Sequence, residues 1–221
     1  LVLNISKCCI ISFFRKLSNI QYEYQINNII LLRKTVVKDL GVLVDSELSF
    51  IPHINFICDQ SIKLLGFIVR NTNDFQNISC LMALYNAYVR CKLEYCCLVW
   101  KPYYSIHVNT LEKVQRKFCK YLSDIKHRHY PPQGYPNNEL LTEFELTTLY
   151  NRRHYIALVF LFKLVHGFVH CPQLLSRLYF NVPRLNSRNS LTFNVPFART
   201  NYHMQYPINY MCSTYNQIQH E

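Results

Sequence analysis

Glycine is scarce in this chain: only Gly41, Gly66, Gly134 and Gly167 occur in 221 residues. A phosphate-cradling loop needs closely spaced glycines, so nucleotide sites built on GxGxxG or GxxxxGK[ST] are excluded. Gly-x-Ser-x-Gly nucleophile elbows and His-Glu-x-x-His metal helices are absent too. Acidic residues are few, 13 against 24 Lys and Arg. The aspartates Asp39, Asp45, Asp59, Asp74 and Asp124 are scattered, with no adjacent pair. Two-metal phosphoryl transfer needs carboxylates gathered around the ions. No catalytic residue, metal ligand or cofactor is therefore assigned within this chain.

Long hydrophobic runs are also missing. The most apolar stretch, IALVFLFKLVHGF, is interrupted by Lys163, well short of the roughly 20 residues that span a bilayer. The start shows no charged segment leading to a signal cleavage site. The chain is expected to be intracellular, nuclear or cytoplasmic, and neither secreted nor membrane-bound. It starts on Leu in apolar sequence, which reads as the middle of a domain and the whole as a fragment.

Cysteine is plentiful, but its spacing argues against bridges and zinc. Ten cysteines include the neighbours Cys8-Cys9 and Cys96-Cys97, and no Cys-x-x-Cys occurs. Most sit in apolar runs, where a thiol acts as a small hydrophobe, and a reduced setting is expected. His166, His170 and Cys171 could ligate a metal only on an intact helix, and Gly167 reads as a helix end.

Half the residues are hydrophobic, enough for a core, and the formal charge is +11. Such a balance favours polyanionic partners; mere solubility is the plainer alternative. Early segments read as strands: a turn-like NISK near the start, a hairpin turn at Asn27-Asn28, and a β-branched run over residues 35–45. Gly41 permits a bulge or close approach there. Helical periodicity follows over residues 51–70, with Pro52 in the first turn. A second helix is expected from an Asn77 cap to about Trp100, and a third over residues 105–124. KHRHYPPQGYPNN is a linker; a short and a long helix cover residues 139–167, and an irregular tail follows.

The third helix carries the best case for binding. At 100° per residue, Leu111, Val114, Phe118, Tyr121 and Leu122 share one face, and Lys113, Arg116, Lys117 and Lys120 lie nearly opposite. The basic face can follow a phosphate backbone, with Lys126 and Arg128 extending the track alongside His127 and His129. Arg152 and Arg153 could continue it. A solvated helix face is the competing reading. Trp100, Tyr95, Leu84, Tyr88, Val89 and Leu93 are expected in the core.

Four segments, in order, add a resemblance. LNISKCCIISF (residues 3–13) is similar to an LNxxKCxxxxF strand–turn segment, and VKDLGVLVDSELSFIPHI (37–54) resembles the end of a polymerase palm. LYNAYVRCKLEYCCLVWKPYY (84–104) is similar to LYxxxVRxxLEYxxxVWxPY, and LEKVQRKFCKYL (111–122) to an LExVQRxFxxxL helix. Together they resemble non-long-terminal-repeat (LINE, jockey-like) retrotransposon reverse transcriptases, downstream of the catalytic aspartate pair. Cys91, Cys96 and Cys97 depart from the small or polar residues common there.

The resemblance implies an α+β, predominantly α chain. A small antiparallel palm remnant would span residues 1–50, a thumb-like helical module 51–126, a linker 127–138, and a helical extension with an irregular tail 139–221. It implies an RNA-directed DNA polymerase parent that uses Mg²⁺ and deoxynucleotides, with this fragment inactive alone. The partners would be an RNA/DNA template–primer duplex, held through its phosphates, and the upstream palm and fingers. Lys7 would lie near the incoming nucleotide, and Asp39, Leu40, Gly41 and Val42 near the primer end. A stand-alone nucleic-acid-binding module, or a helical domain docking protein through its aromatic surface, are the rival expectations.

Overall fold

The computed structural model describes residues 4–14, 22–182 and 191–219. It is α+β with helix predominant, 56% against 9% strand. Contacts divide it into two compact units, Leu1–Cys96 and Cys97–Glu221. That division falls inside the 51–126 segment expected as one module. The first long helix packs with the strands and helices before Cys96, whereas the third packs with those after it.

In the first unit, a short turn at Ile5–Lys7 leads into β1 (Cys9–Ile10). The strand expected ahead of it includes residues 1–3, outside the described residues. Strand β1 pairs in parallel with β4 (Leu32–Arg33), while β2 (Gln25–Ile26) and β3 (Ile29–Ile30) form an antiparallel hairpin. Asn27 and Asn28 both take positive φ, 52° and 60°, as a tight two-residue turn of this hand requires. Strands β5 (Val36–Asp39) and β6 (Val42–Asp45) make a second hairpin across Leu40-Gly41. Among the described residues, the expected single antiparallel sheet is thus three two-stranded ladders, one of them parallel.

The junction from β6 into α1 (Ile51–Asn71) is held by two buried polar side chains. The Asp45 carboxylate accepts from the backbone amides of Glu47, Ser49 and Phe50 at 3.1, 3.0 and 2.7 Å. His53, on the first turn of α1, accepts at Nδ1 from the Leu43 amide, 3.2 Å away. Burial pushes the His53 imidazole below its ordinary pKa, consistent with a neutral ring accepting at that nitrogen. Ile54, Ile57, Cys58, Leu65 and Ile68 then form the buried stripe of α1.

The helix expected from Asn77 to Trp100 is broken into pieces. Asn77 caps α2 (Ile78–Leu84), accepting from the Cys80 amide at 3.2 Å. A wide π-helical stretch, Tyr85–Arg90, precedes α3 (Cys91–Glu94). The chain then turns at Cys96, φ 51°, before α4 (Cys97–Trp100). Tyr95 at this break donates its hydroxyl to the Leu40 carbonyl at 2.9 Å, and a Cβ at Gly41 would stand 3.4 Å from its ring. Tyr95 and Tyr88 are exposed rather than core and Leu84 is half-buried, whereas Val89, Leu93 and Trp100 are fully buried.

The second unit is built on α5 (Ser105–His127), α6 (Asn137–Glu143) and α7 (Leu149–Val165). Leu111, Val114, Phe118 and Leu122 bury the expected face of α5. Helix α7 ends before Gly167, which takes φ 74°. Short helices α8 (Pro172–Leu175) and α9 (Asn201–Met204) follow. The tail then holds α10 (Pro207–Ile218), where irregular chain was expected. Its Ile208, Met211 and Cys212 pack with Ala157, Leu161 and Leu164 of α7. Asn216 brackets Phe193 through both its amide and its carbonyl, at 3.1 and 2.8 Å. Residues 183–190 of that tail lie outside the described residues.

Replacing Asp45 by Ala leaves three amides without their shared acceptor, and a loss of about 2–3 kcal/mol is expected in urea denaturation. Because His53 binds its proton less readily when folded, the unfolded chain protonates first as acid is added. Stability should therefore fall as pH drops below about 6.5. A His53→Gln variant should flatten that slope; a further share belongs to His154, also lowered by burial.

Candidate nucleic-acid interface

The cations of α5 divide by what they touch. Lys113 and Lys117, one turn apart, are exposed and make no ion pair or hydrogen bond among the described residues. Arg116 is half-buried, and its Nη2 donates to the Tyr135 carbonyl at 2.6 Å. Lys120, also half-buried, donates to the Pro132 carbonyl at 3.3 Å and lies 5.4 Å from the Tyr130 ring centroid. The partners of these two cations are backbone carbonyls rather than carboxylates, and the loop that follows α5 fixes their geometry.

Farther along, Lys126 Nζ meets a Glu143 carboxylate oxygen at 2.9 Å, and His127 Nε2 meets the same oxygen at 2.6 Å. Burial raises the Glu143 carboxyl, yet Lys126 and His127 outweigh it and hold the pKa below its usual value. Lys126 is thus compensated. Arg128 is exposed and closes α5 with φ 53°.

Glu112, the acid in the basic stripe, caps another helix. Its two oxygens accept from the Leu149 and Tyr150 amides at 3.2 and 2.7 Å, at the start of α7. Thr148 caps the same end by accepting from Asn151 at 3.1 Å. Buried Gln115 donates to the Thr147 carbonyl at 2.8 Å. Sequence reasoning did not assign Glu112 or Gln115 these roles; Thr148 ahead of an apolar helix was the available signal.

Arg153 does not continue the track. It is 1% exposed, with Nη2 at 3.9 Å from Glu112. Burial, and next the Arg153 charge, push the Lys101 ammonium down to about 7. The Tyr210 ring, 3.1 Å from Lys101 Nζ, favours the charged form, but desolvation beside a second cation is the larger effect.

The remaining expected positions lie in the first unit. Lys7 is exposed at the end of its short turn. Asp39, Leu40 and Gly41 are exposed at the β5–β6 turn, and Val42 is buried. A cleft of about 450 Å³ beside Gly41 is lined by Lys38, His53, Lys92 and Tyr95. Among the described residues, no group of three or more His, Cys, Asp or Glu could hold a metal ion. No helix there is long and apolar enough to cross a membrane. All ten cysteines are free, and burial raises the Cys119 and Cys212 thiols to about 12 and about 11.

No protein-family model matches this chain, nor does any curated protein or solved structure.

The division among the α5 cations is measurable. Arg116→Met should cost about 1–2 kcal/mol because it releases a loop carbonyl held by a charged donor. Lys113→Met and Lys117→Met should each stay within about 0.5 kcal/mol of the parent chain. Thermal or urea melts of the three variants would separate them.

Proposed function

We propose that this chain is the post-catalytic part of a non-long-terminal-repeat retrotransposon reverse transcriptase, serving as a clamp on the template–primer duplex. The observation that carries the reading is an α5 face with Lys113 and Lys117 open to solvent, in a chain of charge +11. Four ordered motifs connect that face to this family. A hybrid duplex is A-like, its deep groove hiding base edges, so a clamp needs sequence-blind contacts to phosphate. Two open lysines on one helix, with Arg116 between them and Arg128 at the helix end, supply that chemistry.

In this reading the catalytic aspartates, Mg²⁺ and deoxynucleotide belong to the parent polymerase, whose palm and fingers are the missing partners. Lys7 faces the incoming triphosphate, and the Asp39–Val42 turn, exposed at Asp39, Leu40 and Gly41, approaches the primer end. The compartment is intracellular, nuclear or cytoplasmic. The isolated chain is inactive.

Binding to an RNA–DNA hybrid should weaken steeply between about 50 and 200 mM salt. Neutralising Lys113 and Lys117 together should reduce the slope of log K against log salt by about 2, roughly one per phosphate contact. Fluorescence anisotropy across a salt series reads both. Affinity indifferent to salt would sink the clamp, and primer extension above a heat-inactivated control would overturn the inactivity.

A further inference from the structure

A cleft of about 730 Å³ opens beside α5; Lys113, Arg116, Glu112, Asn137, Thr148 and Tyr150 are among its lining residues, with Ile106 and Val108 on its apolar part. Two of its side chains carry unmet demands. Arg116 Nε and Asn137 Oδ1 are both buried and have no hydrogen-bond partner among the described residues. Buried polar atoms without partners are rare in folded proteins and ask for a ligand or water. Arg116 cannot swing away to satisfy itself, because its Nη2 is fixed on the Tyr135 carbonyl.

The demands differ in kind, which narrows the occupant. An N–H on a guanidinium, with the unpaired ammonium of Lys113 nearby on the same cleft wall, calls for an anionic oxygen. The Asn137 oxygen calls for a hydroxyl or amine donor. Tyr150, 43% exposed, offers a flat face for stacking. An inorganic anion meets only the first demand. The first turn of α7 is no rival anion site, since Glu112 and Thr148 already hold its amides.

Resting on the clamp reading, we infer that this cleft receives one unpaired nucleotide of a strand whose duplex part lies along α5. Its phosphate meets Lys113 and Arg116, its sugar or base donates to Asn137, and its base stacks on Tyr150. Lys117, one turn beyond Lys113, carries the next phosphate, which favours a strand over a free nucleotide.

The test compares a blunt RNA–DNA hybrid with the same hybrid bearing a short single-stranded extension, by anisotropy on the full chain. The extension should tighten binding about tenfold, the scale of one base–aromatic stack. Tyr150→Ala and Asn137→Ala should each remove that gain and leave blunt-duplex affinity unchanged; Tyr150→Phe should keep it. Tyr150 also packs on His154, with ring centroids 4.4 Å apart, so Asn137→Ala serves as the variant that spares that contact. Salt-dependent binding of both ligands with equal affinity would overturn the cleft and leave the clamp standing. Failure to bind either would overturn both. Adenosine monophosphate binding with the same Tyr150 dependence, while the extension adds nothing, would overturn the strand in favour of a free nucleotide.

Discussion

Helix α5 holds the backbone of the segment that follows it, and the second unit depends on that. Glu112 takes the first amides of α7, Gln115 the Thr147 carbonyl, Arg116 the Tyr135 carbonyl and Lys120 the Pro132 carbonyl. Helix ends and loops expose backbone groups that cost free energy when buried without partners. Here one helix meets several of those needs from its polar side while its apolar side packs. The cost falls on the basic stripe: cations engaged with carbonyls are fixed in place. Lys113 and Lys117 are what the scaffold leaves over, and they are the groups a polyanion would find.

The first unit uses the same device on a smaller scale. Asp45 gathers three amides where the chain leaves β6, and His53 reaches back from α1 to the same hairpin. The hairpin that His53 grips has a turn in which a non-glycine residue, Leu40, takes φ 43° beside Gly41 at 88°. The Tyr95 hydroxyl on the Leu40 carbonyl steadies this turn from the other side. An exposed turn at a strained position persists only when its surroundings define it, and here Tyr95 holds the turn itself while His53 holds the strand that leaves it.

How much of this was legible varies by element. The α5 motif, LExVQRxFxxxL, names Leu111, Glu112, Val114, Gln115, Arg116, Phe118 and Leu122, and each is buried or bonded to backbone. Lys113, Lys117 and Lys120 occupy its unspecified positions. The pattern therefore encodes scaffold, and the free cations had to be read from helical geometry. The Asn27-Asn28 turn, the Asn77 cap and the Gly167 stop were local signals and could be read. The break at Tyr95-Cys96 could not, because its partner, Leu40, is distant in sequence. Helix α10 was hidden for another reason: Asn, Ser, Thr and Tyr between its apolar positions are weak helix formers, and packing on α7 overrides them. The β1–β4 pairing is also non-local, and no run of residues announces it.

Net charge is the coarsest of the signals, and it overstates what a phosphate backbone would meet. Arg153 is inside, beside Glu112; Lys126 is compensated by Glu143; and the Lys101 ammonium, near 7, is partly neutral at physiological pH. Each subtracts from the surface field without changing the composition. Counterion release counts cations that reach phosphate, not cations in the chain. Salt dependence should therefore track the few open lysines on α5, so that a slope approaching the full +11 would mean a contact surface well beyond that helix.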